Sequence, residues 1–274
     1  MSLNLTLPSE HDASDLSVFL ERAAKLGCEH VRLIGSGSVL AAYVGVLVPS
    51  GLLDTAPTVL GLRVFERGSA ASSGSDVAGF GAAGSDVAGF GAAGSDVSGS
   101  GASQNNSDLE SLAPLDTVVT IRGLLDRLAR PELTFALPVG EAGIAWAGVS
   151  APRSGWEALG SLSAADLEAI ARAGIDEIAA SNGLGTIIVT RARREVWGCP
   201  IFSDAALEDS AEGTSSTVSP SGSAGPSSLA GVKLVSGAAF AAFGLGFLGE
   251  DEPVLSRSAN WMRLTTTRGH ILVR

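Results

Sequence analysis

The sequence is short of the residue types that usually carry chemistry. Its 274 residues include two cysteines, three histidines and one tyrosine, and only 17% are Asp, Glu, Lys or Arg. Soluble domains usually carry about 25% charge, so a highly charged disordered chain is excluded, and so are a coiled coil and a disulfide scaffold. Cys28 and Cys199 lie too far apart for a disulfide framework and lack the four closely spaced ligands of a zinc site. They read as two buried, reduced thiols of a cytosolic protein. His11, His30 and His270 share no close spacing, so no local metal motif exists. There is no G-x-S-x-G, and the many serines have no obvious base beside them. Base is scarce as well. Eighteen Lys and Arg against 29 Asp and Glu leave a formal charge of -11, which argues against nucleic-acid binding by phosphate neutralisation.

The segment before Leu16 has neither a basic nor an apolar run and does not read as a signal peptide. Leu234 to Gly249 is free of charge for 16 residues. A membrane-spanning helix needs about 20, and Lys233 and Glu250-Asp251-Glu252 bound it closely. It reads as a buried helix of a soluble protein, within 229–248.

Glycine and serine are plentiful, and they concentrate. Residues 69–112 and 203–231 together hold nine acids and no Lys or Arg. Their composition cannot bury enough apolar surface to offset chain entropy, so disorder is expected at 69–112 and at 203–228. The first stretch contains a tandem repeat. GSDVAGFGAA occupies 74–83 and 84–93, and a decayed copy follows at 94–103. The period of ten and the order of Gly and Asp do not match the nonapeptide calcium repeat. A duplication inside a tolerant surface loop explains it.

The remainder has clear periodicity. Leu3 to Leu7 reads as a strand. Ser14 or Asp15 caps a helix to about Leu26. His30–Ile34 and Val39–Val48 read as a hairpin around Gly35 to Ser38, and Thr58–Phe65 as a further strand. Asp116 caps a helix over 117–130, followed by short strands at 133–137 and 144–146. Pro152 to Gly155 breaks the pattern. Beyond it, helices are expected at 163–180, 186–197 and 229–248, then short strands at 254–257, 261–265 and 271–273. The expected fold is therefore α+β. Its N-terminal unit, 1–150, is an antiparallel meander with packed helices and the insert at 69–112. Its C-terminal unit, 151–274, is mainly helical and closed by a small β-sheet.

Gly35-Ser36-Gly37 and Gly183-Leu184-Gly185 each lack the third glycine of a dinucleotide-binding turn, and neither stands between a strand and a helix. Arg191, Arg193 and Arg194 form one basic group. Arg257, Arg263, Arg268 and Arg274 form another, with no acid after Glu252. Brought together, such residues bind anions or acidic partners. Trp261 and Arg263 share a face if their segment is extended, which allows a cation–π pair.

PRSGW at 152–156, GFL at 246–248 and WMRL at 261–264, with Gly269 after them, resemble segments of a group of uncharacterised actinobacterial proteins. The resemblance implies a soluble, intracellular protein and a helix across 186–197. It brings no activity, ligand or catalytic residue. The reading is a non-catalytic binding or interaction protein with no cofactor, no metal, no nucleic acid and no membrane contact. Its partner would be a protein or a small anionic ligand. Arg153, Trp156, Trp261, Arg263 and Arg268 are the candidate interaction surface. The alternatives are a small enzyme using dispersed residues such as Arg153, Glu195 and His270, or an anion-binding module built on the C-terminal arginines.

Overall fold

The structure is a computed structural model. It describes residues 3–51, 54, 56–68, 114–180, 186–202 and 232–274. The low-complexity stretches at 69–112 and 203–228 lie outside the described residues.

Ten strands and five helices are described, in the order β1 (Asn4–Thr6), α1 (Glu10–Lys25), β2 (His30–Ser36), β3 (Val39–Leu47), β4 (Val59–Glu66), β5 (Leu115–Thr120), α2 (Ile121–Leu128), β6 (Thr134–Ala136), β7 (Glu157–Ser161), α3 (Ala164–Ala180), α4 (Thr186–Gly198), α5 (Ser236–Gly244), β8 (Val254–Ser258), β9 (Trp261–Thr266) and β10 (Gly269–Val273). Eight strands form one antiparallel sheet in the order β5-β2-β3-β4-β10-β9-β8-β7. The remaining two, β1 and β6, pair with each other.

This overturns the expected C-terminal architecture. The segment after 150 is not mainly helical with a small closing sheet. It supplies half of the large sheet, and β10 pairs directly with β4 from His270↔Leu62 to Val273↔Val59. Helix periodicity is legible in isolated segments, but the pairing that merges two short meanders is long-range and leaves no local trace.

Several local differences stand out, and two have identifiable causes. Residues 115–120 form a strand rather than the start of a helix. Their β-branched run suits a pleated surface, and all six residues pair with β2. The cap of α2 is consequently Thr120, whose hydroxyl accepts from the Gly123 N–H at 3.2 Å. Helix α1 begins at Glu10, because Ser9 rather than Ser14 or Asp15 caps it and accepts from the Asp12 N–H at 3.2 Å. The strand expected at 144–146 is not formed, and Ala145–Gly148 make a single 3-10 turn. Helix α5 is nine residues long, shorter than its apolar run. No helix among the described residues is long and apolar enough to cross a membrane.

Alternation along the strands divides the sheet into two faces. Leu33, Leu40, Val44, Leu255, Leu264 and Ile271 point to the main core, where they meet Leu16 and Phe19 of α1 and the alanines of α5. Close approach is built into this layer. A Cβ at Gly61 would overlap Leu245, and one at Gly237 would lie 2.9 Å from the Trp197 carbonyl. Helices α3 and α4 pack outside α5, with Trp197 stacked on Phe240 at 4.3 Å. Cys28 is buried, but Cys199 is exposed at the end of α4, which corrects the expectation of two buried thiols.

Candidate functional site: the helix-free face of the sheet

Among the described residues no helix covers the second face. It is partly covered by the segment 144–156, whose 3-10 turn lies across β2, β3 and β4. Arg32 ties this segment down. Its Nε and Nη2 donate to both carboxylate oxygens of Asp116 at 2.8 and 2.7 Å. Its Nη1 donates to the Ala147 carbonyl at 2.5 Å and to Ser150 Oγ at 3.0 Å. The Arg32 guanidinium holds the Asp116 carboxyl below the usual carboxylate range. Trp146 lies over Gly45, where a Cβ would come within 3.0 Å of the indole. A side chain at this position would have to displace the ring or Val48.

Beneath this segment Leu60, Trp261 and Leu272 form a second, smaller core with Tyr43, Trp146 and Trp156 around it. A cavity of about 60 Å³ remains between Arg32, Tyr43, Trp146 and Arg153, room for a few water molecules. Burial pushes the Tyr43 hydroxyl up, and the charges of Arg153 and Arg32 oppose that shift.

The most unusual group on this face is Arg263. Its guanidinium lies 4.4 Å from the centre of the Trp156 ring. Trp156 is held in turn by its own Nε1–H, which donates to the Pro152 carbonyl at 3.0 Å. The Arg263 Nε is buried and has no hydrogen-bond partner among the described residues. Among the described residues no carboxylate pairs with Arg263. Burial lowers its pKa. Ladder register places Ser256 on one side of Arg263 and Leu272 on the other. His270 and Thr265 form the next row on the same face, with His270 Nδ1 and Thr265 Oγ1 3.2 Å apart. Burial, helped by the charge of Arg263, pushes the His270 imidazole down to about 4, so it is neutral at physiological pH.

Four of the five candidate surface residues therefore sit on or beside one face. Arg153 is exposed at the rim of the small cavity. Trp156 and Arg263 form the stacked pair. Trp261 is 4% exposed and belongs to the packing beneath. It shares a face with Arg263, as alternation requires, but Trp156 takes the guanidinium instead. Arg268 is on the other side of the sheet. Its Nη1 donates to the carbonyls of Gly246 and Leu248, both at 3.3 Å, and so serves the C-terminal end of α5.

The dispersed set Arg153, Glu195 and His270 is not assembled. Glu195 lies on α4 beyond α5 and pairs with Arg191. Among the described residues no three His, Cys, Asp or Glu side chains come together as a metal site, and no catalytic role is evident. Arg32 and Tyr43 are members of the face that sequence reasoning did not select, and His270 was named only for the dispersed enzyme set. Their even spacing from neighbouring strand positions signals which face they occupy. Which strand lies beside which is a long-range outcome with no local signal.

Two family models match the chain. One is a domain of unknown function (DUF8185), over residues 151–274. The other is a domain of unknown function (DUF8010), over residues 1–148. No curated protein and no solved structure matches. With more than half of its length matched by the second model, the chain belongs to the DUF8010 family, and the DUF8185 domain follows in the same sheet.

Proposed function

We propose that the chain is a binding protein that holds an acidic partner or a small anionic ligand on the helix-free face of its sheet. The observation that carries this reading is Arg263, stacked on Trp156 with no acid of the described residues paired to it. A half-buried guanidinium forgoes hydration, and a structural arginine in such a place normally recovers that cost through a carboxylate. Arg153, exposed nearby, adds positive charge to the same face. The units 1–150 and 151–274 act together on this reading. Tyr43, Leu60 and Trp146 come from the first, and Arg153, Trp156 and Arg263 from the second. A cytoplasmic location and an actinobacterial origin, suggested by the PRSGW, GFL and WMRL segments, belong to the same proposal.

The test is a pull-down from native lysate with wild type and with an Arg153→Glu, Arg263→Glu double variant, followed by mass spectrometry of retained proteins and small molecules. A species held by wild type, released by salt and lost from the variant supports the reading. A retained compound that the protein chemically converts would replace it with an enzyme. Identical retention by both proteins would move the binding surface elsewhere.

A further inference from the structure

We infer that Arg263 is a receptor for a single carboxylate, bound end-on by its two Nη groups against the Trp156 platform. The inference rests on the binding reading above and names the chemical group recognised. Three observations converge. First, the guanidinium packs over the indole of Trp156, 4.4 Å from the ring centre, and Trp156 is itself anchored to the Pro152 carbonyl. The arginine is thus oriented before any ligand arrives, which removes much of the ordering cost of binding. Second, the polar groups that register sets around Arg263 are two hydroxyls and a neutral ring, Ser256, Thr265 and His270. None is an acid, and among the described residues no carboxylate competes for the guanidinium. Third, the shape of the fork selects the ligand. Arg32 is committed to Asp116, Ala147 and Ser150, which leaves Arg263 on its Trp156 platform and the exposed Arg153 at the rim. A planar carboxylate matches the two parallel N–H bonds of the guanidinium fork, and a chain of net charge -11 favours the ligand of lower negative charge.

The experiment is a titration of the full chain followed by NMR of the arginine Nε–H signals, with the Arg263 signal assigned by its disappearance in Arg263→Lys. Acetate, inorganic phosphate and chloride are compared at equal ionic strength. The expected result is a saturable shift of the Arg263 signal with acetate, a weaker one with phosphate and none with chloride. Trp156→Leu keeps the arginine but removes its platform, and should weaken acetate binding roughly three- to fivefold, the value of an exposed cation–π contact. Thermal unfolding of both variants, run in parallel, separates loss of binding from loss of fold. Equal shifts with all three salts, or unchanged acetate affinity in a folded Trp156→Leu, overturns the inference. Tighter binding of phosphate overturns the carboxylate assignment. If the acetate titration fails while the lysate partner is still lost from the double variant, the binding surface stands and only the group assigned to Arg263 is wrong.

Discussion

Gly174 of α3 faces the indole of Trp197 on α4 so closely that a Cβ there would lie 2.5 Å from the ring atom Cη2 and 3.0 Å from Val196 Cγ1. Trp197 has no room to move away, because its other side is stacked on Phe240 of α5 at 4.3 Å. Gly174→Ala should therefore destabilise the protein by roughly 1–3 kcal/mol through overpacking, even though alanine is the better helix former by about 1 kcal/mol. Gly148→Ala, where a Cβ meets nothing within 4 Å, is the control in the same urea titration. Equal midpoints for both variants would show that α3 and α4 are not tightly docked.

The clamp between Arg32 and the 144–156 segment should be visible in stability and in its pH dependence. Arg32→Ala removes charge-assisted bonds to Asp116, Ala147 and Ser150, a loss of about 2–3 kcal/mol. The Asp116 carboxyl has a lowered pKa in the folded state, chiefly through the Arg32 hydrogen bond. Its contribution is present above the unfolded value near 4 and is lost as pH falls through the lower folded value. Denaturant melts from pH 6 to pH 3 should show a steeper acid loss for wild type than for Asp116→Asn.

His270 acts over a different window. Its folded pKa is pushed down to about 4 from 6.5, so below pH 6.5 the unfolded chain takes up a proton that the folded chain refuses. Stability should fall between pH 6.5 and pH 4, by on the order of 3 kcal/mol in total, and level off below. His270→Gln should flatten that interval. An imidazole that titrates near 6.5 by NMR in the folded protein would contradict the expected behaviour.

The β8–β9 hairpin turns at Ala259-Asn260, and Ala259 has φ +51. Left-handed backbone costs an L-residue roughly 1–2 kcal/mol, and glycine carries no such penalty. Ala259→Gly should raise stability by about 0.5–1 kcal/mol, the added flexibility of the unfolded chain offsetting part of the gain. A fall in the unfolding midpoint would count against that turn geometry.

The two thiols should differ sharply in reactivity. Burial pushes Cys28 up to about 12, and its Sγ donates to the Gly45 carbonyl at 3.2 Å. Cys199 is exposed. A chromogenic disulfide reagent should titrate one thiol in the native protein and two in denaturant.

Legibility in the sequence followed the range of the interactions concerned. Helix α3 was readable because Ser163 caps it through the Asp166 N–H at 3.2 Å and its apolar residues recur every turn. The hairpin β2–β3 was readable because Gly37, at φ +52, sits between two β-branched runs. Leu115–Thr120 misled because Asp116 resembles a helix cap, while its side chain instead answers Arg32 across the ladder. The site was legible in its parts and not in its assembly. Trp261 and Arg263 were placed on one face by alternation, but the partner of Arg263 is Trp156, about a hundred residues away in sequence and brought close only by the pairing of β7 with β8 and of β8 with β9. Arg268 was grouped with Arg263 by proximity in the chain, yet the turn before β10 sends it to the opposite side.

The seam between β4 and β10 also shapes how the molecule could be taken apart. Each side of it has the same plan, a helix followed by a three-strand meander whose last strand lies at the centre: α1 then β2-β3-β4, and α5 then β8-β9-β10. Severing the chain near residue 150 would leave each fragment with an interior strand as a raw edge, apolar and unpaired. Such edges are templates for association. The two fragments are each other's best-fitting cover, since Leu60 meets Leu272 and Gly61 makes room for Leu245. Separately produced 1–148 and 151–274 should then recombine into a 1:1 complex, and either one alone should pair with itself, so the chain offers a natural place to split a reporter.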